Sequence, residues 1–172
     1  MKRILVIGCA GSGKSTLSRQ LRDSLHLPLI YLDQIWHCAD GSHINPDLFD
    51  RKLNTILETD AWIMDGNYRR TLRTRLNACD TVILLDFPTD VCLRQAKQRI
   101  GHKREDLPWV ETEFNPEFED WIRNFRTRNL REILKMLEEY SQTRSIYVLR
   151  SHEDIREFVA TVRQLEQFSL RT

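Results

Sequence analysis

The chain has 172 residues, 41% of them hydrophobic and 30% charged, with a formal net charge of +1. That profile suits one soluble globular domain able to bury a core without metals or disulfides. The near-zero charge excludes a general attraction to nucleic acid or anionic lipid, so any anion site must be a local cluster.

The apolar run Ile4–Ile7 reads as a strand buried on both faces, and it stops at Gly8. It is too short for a secretory core, and no stretch approaches the roughly 18 apolar residues of a membrane span, so a cytoplasmic protein without a membrane partner is expected. Leu17, Leu21 and Leu25 mark one face of a helix beginning near Lys14. Residues 29–32 read as a second strand, followed by a loop with Trp36 and His37. Asn45-Pro46 offers a cap and a first-turn proline for a helix through Ile56. Residues 62–64 and 81–85 are the third and fourth strands. Pro88 opens a helix to about Ile100. Pro116 opens a longer one to about Tyr140, and Asp86 reads as a helix cap. A fifth strand spans 146–149. Ser151 caps a last helix with Asp154 in capping-box position. Strands alternating with helices predict a three-layer α/β/α sandwich around a five-stranded parallel sheet. One domain spanning 1–172 is expected, with a short lid at about 101–115.

Cys9, Cys38, Cys79 and Cys92 form no CxxC pair, which fits free thiols in a reducing compartment. The strongest motif is G-x-x-x-x-G-K-[ST], here Gly8-Cys9-Ala10-Gly11-Ser12-Gly13-Lys14-Ser15, between a strand and a helix. Its glycines let successive N–H groups point at phosphate oxygens, and the helix that continues through Thr16 adds a positive end. Lys14 is positioned to reach the β- and γ-phosphates and Ser15 to ligate Mg²⁺. Three carboxylates end strands and are candidates for the Mg²⁺ side: Asp33, Asp65 and Asp86. Asp33 faces the edge where ligands of such sheets bind and suits a proton acceptor for an attacking hydroxyl.

Arg69, Arg70, Arg73 and Arg75 crowd one stretch; Arg94, Lys97, Arg99, Lys103 and Arg104 form a second group. Arginines stabilise the charge that spreads over a transferring phosphoryl group. Arg69, Arg73, Arg99 and Arg104 are the candidates, lying near loops at the carboxyl edge. Arg123, Arg126, Arg128 and Arg131 share their helix with many acids and read as surface charge. Trp36, His37 and Trp109 are candidates to frame a substrate, whereas Trp62 and Trp121 read as core.

Leu32-Asp33-Gln34-Ile35-Trp36 and Trp62-Ile63-Met64-Asp65-Gly66-Asn67-Tyr68, with the P-loop, Cys92-Leu93-Arg94 and Arg99-Ile100-Gly101, resemble the adenylate-kinase-related P-loop proteins. Within these the chain is similar to the topology modulation protein (FlaR-like) subgroup. The resemblance implies ATP and Mg²⁺ as ligands. It favours Asp65 over Asp86 as the Mg²⁺-side carboxylate, sets Arg99 against the base and Arg104 at the phosphates, and places Asp33 beside the acceptor hydroxyl. The expected function is an ATP-dependent kinase acting on a nucleotide or small hydroxylated metabolite. The alternative is a regulatory or nucleic-acid-associated ATPase, although nothing in the charge favours nucleic acid.

Overall fold

The first apolar run becomes β1 (Arg3–Gly8), in which Ile4 to Ile7 are wholly inaccessible to solvent. The protein is described here by a computed structural model covering residues 1–169. A strand so deeply buried needs neighbours on both edges and cover on both faces. Its edges are taken by β3 (Trp62–Asp65) and β4 (Thr81–Leu85), both parallel to it. β2 (Leu29–Tyr31) extends the sheet beyond β3, and β5 (Ser145–Leu149) extends it beyond β4. The resulting order, β2-β3-β1-β4-β5, is the five-stranded parallel sheet of an α/β fold, as the sequence pattern predicts.

Parallel neighbours need crossovers, and helices supply them. α1 (Lys14–Leu25) buries Leu17 and Leu21 against the sheet and packs beside α8 (His152–Ser169). α2 (Leu32–Trp36) and α3 (Pro46–Leu57) link β2 to β3, and α4 (Arg69–Ala78) links β3 to β4. Between β4 and β5 lie α5 (Thr89–Lys97), α6 (Pro116–Phe125) and α7 (Arg131–Tyr140). A π-helical turn, Arg126–Leu130, joins α6 to α7, so the long helix expected from Pro116 is continuous but locally widened.

Two Asn-Pro pairs start helices as their chemistry dictates. Asn45 Oδ1 accepts the Asp47 N–H at 2.8 Å, and Asn115 Oδ1 accepts the Glu117 N–H at 2.7 Å. Ser151 Oγ accepts the Asp154 N–H at 3.0 Å, while the Asp154 carboxylate accepts from the Arg150 N–H at 2.7 Å, one residue before the position a capping box uses. Asp86 does not cap α5. That helix is preceded by Pro88 and has no side-chain cap. Asp86 instead follows β4 directly and pairs with Arg126 at 2.7 Å and Arg150 at 3.8 Å. α2 and α4 are also absent from the sequence reading, and α2 begins directly at the end of β2. Among the described residues, no helix is long and apolar enough to cross a membrane.

Candidate functional site

Between β1 and α1 the chain turns through positive-φ glycines, Gly11 at 78° and Gly13 at 94°. A Cβ on Gly11 would lie 2.1 Å from the Cys92 carbonyl oxygen, so α5 packs directly on the loop backbone. Gly13 precedes α1 without a capping side chain, and the first turn of α1 carries no acid. The amides of Lys14, Ser15 and Thr16 find no acceptor among the described residues; only with Leu17, which donates to the Gly13 carbonyl, does the helical ladder begin. An uncapped helix start beside a lysine is an anion site. Lys14 Nζ donates to the Cys9 carbonyl at 3.0 Å, spanning the loop.

The opposite wall comes from the end of β3. Asp65 is the last ladder residue, in register with Val6 on one side and Tyr31 on the other. Burial pushes its carboxyl up to about 6, against the opposing pull of the Lys14 ammonium and the Ser15 hydroxyl. Beyond it, Gly66 donates to the Val6 carbonyl at 3.2 Å. Asn67 then takes over by side chain: Oδ1 accepts the Gly8 N–H at 2.9 Å and Nδ2 donates to the Gly8 carbonyl at 2.6 Å. Tyr68 adopts φ 25°, a conformation rarely accessible to a bulky residue. Arg75, fully buried on α4, holds the whole turn by donating to the carbonyls of Gly66, Asn67 and Tyr68. The turn aims the Tyr68 hydroxyl at Asp33 in the first turn of α2, to which it donates at 2.8 Å. Burial, and then the Asp33 charge, raise the Tyr68 phenol above its ordinary value, so it stays a donor.

The roof is the irregular segment 98–115. It folds back on itself where Gly101 donates to the Glu111 carbonyl at 2.7 Å. Arg104 donates to Asp106 through Nη2 at 2.6 Å and to Glu111 through Nη1 at 2.7 Å. Although burial opposes it, the Arg104 guanidinium holds the Asp106 carboxyl below its ordinary value. Asp106 in turn accepts the Ser15 hydroxyl at 2.9 Å, and Glu105 pairs with Arg22 at 2.7 Å. The Gln34 side chain also donates to the Glu105 carbonyl, so the segment is docked on both α1 and α2.

Two lobes open on either side of Lys14 and Ser15. One, of about 450 Å³, is walled by Asp33, Asp65, Tyr68, Trp109 and Phe118. The other, of about 560 Å³, is walled by Gly13, Thr16, Arg19, Gln95, Lys103 and His152. Lys14, Ser15, Arg99, Arg104 and Asp106 border both, forming a shared partition. The residues fit a magnesium nucleotide: uncapped amides and cations for the phosphates, and the hard oxygens of Ser15 and Asp65 for the metal.

The fold therefore brings Lys14, Ser15, Asp33, Asp65, Arg99 and Arg104 to one cleft, with Ala10 on one lobe and Gly11, Gly13 and Thr16 on the other. Gly8, Cys9 and Ser12 lie behind it as scaffolding, and Ser12 is fully buried. Arg69 and Arg73, expected near the phosphates, are not in the cleft. They lie on the exposed side of α4 and pair with Glu132 and Glu139 of α7 at 2.6 and 2.8 Å. Their neighbour Arg75 faces inward because it sits three residues after the buried Leu72, on the same helical face. Trp36 packs edge-on to Phe49 and Tyr68, outside the cleft wall, whereas His37 and Trp109 meet at 4.8 Å within it. Trp121, read from the sequence as core, borders the cleft. Sequence reasoning missed Asn67, Tyr68, Arg75, Asp106 and Glu111. The helical phase of Arg75 was available as a signal; nothing in the spacing marks Asp106.

No family model matches the chain, and no curated protein matches it. Solved structures do. A shikimate kinase from Bacteroides thetaiotaomicron superimposes with a TM-score of 0.56 at 20% identity, over 96% of this chain and 98% of that one. A shikimate kinase from Acinetobacter baumannii in complex with shikimate gives 0.56 at 18%, over 98% and 94%. A gluconokinase from Sinorhizobium meliloti 1021 gives 0.52 at 16%, over 98% and 95%. At these identities the likeness establishes the fold, that of P-loop kinase structures.

Proposed function

We propose that this protein is an ATP-dependent kinase that transfers the γ-phosphoryl group to a hydroxyl of a small molecule. The observation that carries the reading is the pair of lobes meeting at one partition of Lys14, Ser15, Arg99 and Arg104. A phosphoryl donor and an acceptor seated in separate lobes would face each other across the cations that transfer requires. The kinase structures named above share the fold and support the reading.

In this reading the uncapped amides of α1 and the Lys14 ammonium hold the β- and γ-phosphates in the Thr16 and Gln95 lobe. Arg99 lies at the partition, and burial, then the charge of Arg104, lower its pKa below its ordinary value; a phosphate would restore its balance. Ser15 and Asp65 would hold Mg²⁺, which when bound neutralises phosphate charge. Asp33, fixed by the Tyr68 hydroxyl, takes the proton of the attacking alcohol. The acceptor oxygen bonds to the γ-phosphorus as the bond to the β–γ bridging oxygen breaks, and ADP departs with that electron pair. Segment 101–115 acts as a lid that keeps water from competing as acceptor. The adenylate-kinase-related reading, with its topology modulation subgroup, is supported by segments 32–36 and 62–68, which supply Asp33, Asp65 and Tyr68 to the cleft. One domain acting in the cytoplasm without a membrane or nucleic-acid partner completes the proposal.

The test is to incubate the protein with Mg·ATP and a panel of nucleosides, nucleotides and small hydroxylated metabolites while following ADP formation. Acceptor-dependent ADP, lost in Lys14→Ala and reduced at least 100-fold in Asp33→Asn, is expected. ADP formation indifferent to every acceptor would instead favour the regulatory ATPase.

A further inference from the structure

We infer that the acceptor is an uncharged alcohol built on a flat ring, with nucleosides the fitting class, rather than a nucleoside monophosphate or a sugar acid. The inference rests on the kinase reading and narrows its substrate.

The charges of the 450 Å³ lobe carry the argument. Among the described residues, every cation that lines it (Lys14, Arg99 and Arg104) also borders the phosphate lobe. The ionised groups it does not share are all acids: Asp33, Asp65 and Glu111. His37 adds no cation near neutral pH, because burial lowers its pKa below the ordinary value. An acceptor phosphate or carboxylate would find no cation of its own there, and each partition cation it recruited would be withdrawn from the transferring group. A cationic acceptor fares no better. Glu111 is bound to Arg104, Asp33 would take the acceptor's proton and Asp65 would hold Mg²⁺, so among the described residues no carboxylate is spare.

What the lobe does offer privately is rings: His37, Tyr68, Trp109, Phe118 and Trp121, none of which touches the phosphate lobe. Trp109 from the roof meets His37 at the end of α2 edge to face, so closing the roof places an aromatic wall over the acceptor. Aromatic faces bind planar rings without asking for charge. The volume lies within the range of small-ligand pockets.

Trp109 and Trp121 border the lobe, so tryptophan fluorescence reads acceptor binding without turnover. The protein is first saturated with a non-hydrolysable Mg·ATP analogue, which blocks the phosphate lobe. Nucleosides are then titrated against their 5′-monophosphates, and polyols against their sugar acids. Nucleosides are expected to bind at least 10-fold more tightly than their monophosphates and than either polyol or acid. Trp109→Ala should weaken nucleoside binding at least 10-fold, and His37→Arg, which adds a private cation, should shrink or reverse the preference against monophosphates. Tighter binding of monophosphates or sugar acids, or no response to any nucleoside, overturns the inference. Nucleoside binding with no ADP formation from Mg·ATP defeats the kinase reading and leaves the ligand class standing. ADP formation driven only by an anionic acceptor does the reverse.

Discussion

The side-chain amide of Asn67 completes the β1–β3 ladder by binding both backbone polar groups of Gly8, at 2.9 and 2.6 Å. Regular pairing ends where Gly66 donates to Val6, and the next inward-facing pair on β1 belongs to Gly8, the first residue of the phosphate loop. A side chain thus stands where a further strand residue would, and it ties the loop to the acceptor-side turn. Asn67→Ala leaves both Gly8 groups without partners. We expect it to cost about 2 kcal/mol in denaturant unfolding and to weaken ATP binding in calorimetric titration. Unchanged ATP affinity would show that the tie is structural only.

Arg75 bears on the same turn from beneath. Among the described residues its guanidinium pairs with no carboxylate; the two Nη groups donate to three carbonyls while the buried Nε has no partner, and burial lowers its pKa to about 9. Arg75→Met removes every one of those donors from buried acceptors, so a loss of about 3 kcal/mol is expected. Arg73→Met, which removes only an exposed pair with Glu139, should cost under about 1 kcal/mol. Equal thermal shifts in the two variants would contradict this account.

The two loop glycines differ in what surrounds them. An alanine at Gly11 meets the Cys92 carbonyl at 2.1 Å as well as an unfavourable φ, and should cost about 4 kcal/mol or prevent folding. Gly13 has a comparable φ but open space around it, so Gly13→Ala should cost only about 1–2 kcal/mol. Melting temperatures of the pair test the order.

Asp65 makes the nucleotide-free protein sensitive to pH. Its carboxyl binds a proton more tightly in the fold, about 6 against an ordinary 3.8, so the folded state gains on the acid side. That contribution is lost as pH rises from about 4 through 6, a loss on the order of 3 kcal/mol. Metal binding runs the other way, since Mg²⁺ requires the ionised carboxylate and its affinity should fall below about pH 6. Stability curves of wild type and Asp65→Asn at pH 4.5 and 7.5 read the first effect, and Mg²⁺ titrations in the presence of ATP read the second. A wild-type profile that Asp65→Asn reproduces would assign the titration elsewhere.

The Ser15–Asp106 bond holds the roof against α1. Asp106→Ala also releases Arg104 from its most buried partner. Trypsin should therefore cut after Lys103 or Arg104 several-fold faster in the nucleotide-free variant than in wild type. Identical cleavage rates would mean that Arg22–Glu105 and Gln34 hold the segment by themselves.

Most of this fold was legible because burial leaves a periodic trace. The apolar runs of β1 and β4 and the four-residue spacing of Leu17 and Leu21 were enough to order the layers. α4 escaped notice because its arginines mask a stripe made only of Leu72 and Leu76. The same masking directed attention to Arg69 and Arg73 instead of Arg75, since composition shows where charge is dense but not which way it faces. The loop motif marks the proposed phosphate end of the site. The proposed acceptor lobe depends on Tyr68, Glu111 and Trp121 meeting from segments far apart in the chain, and no local spacing encodes that meeting.

The division between shared and private residues has a consequence for how such a protein can change. In the proposed kinase, substitutions at His37, Trp109, Phe118 or Trp121 would touch the acceptor alone, while the partition residues would serve both ligands. The choice of alcohol can then drift, by selection or by design, with the phosphate chemistry left intact. A library confined to those four positions, screened for ADP release against new alcohols, is where altered specificity should emerge first.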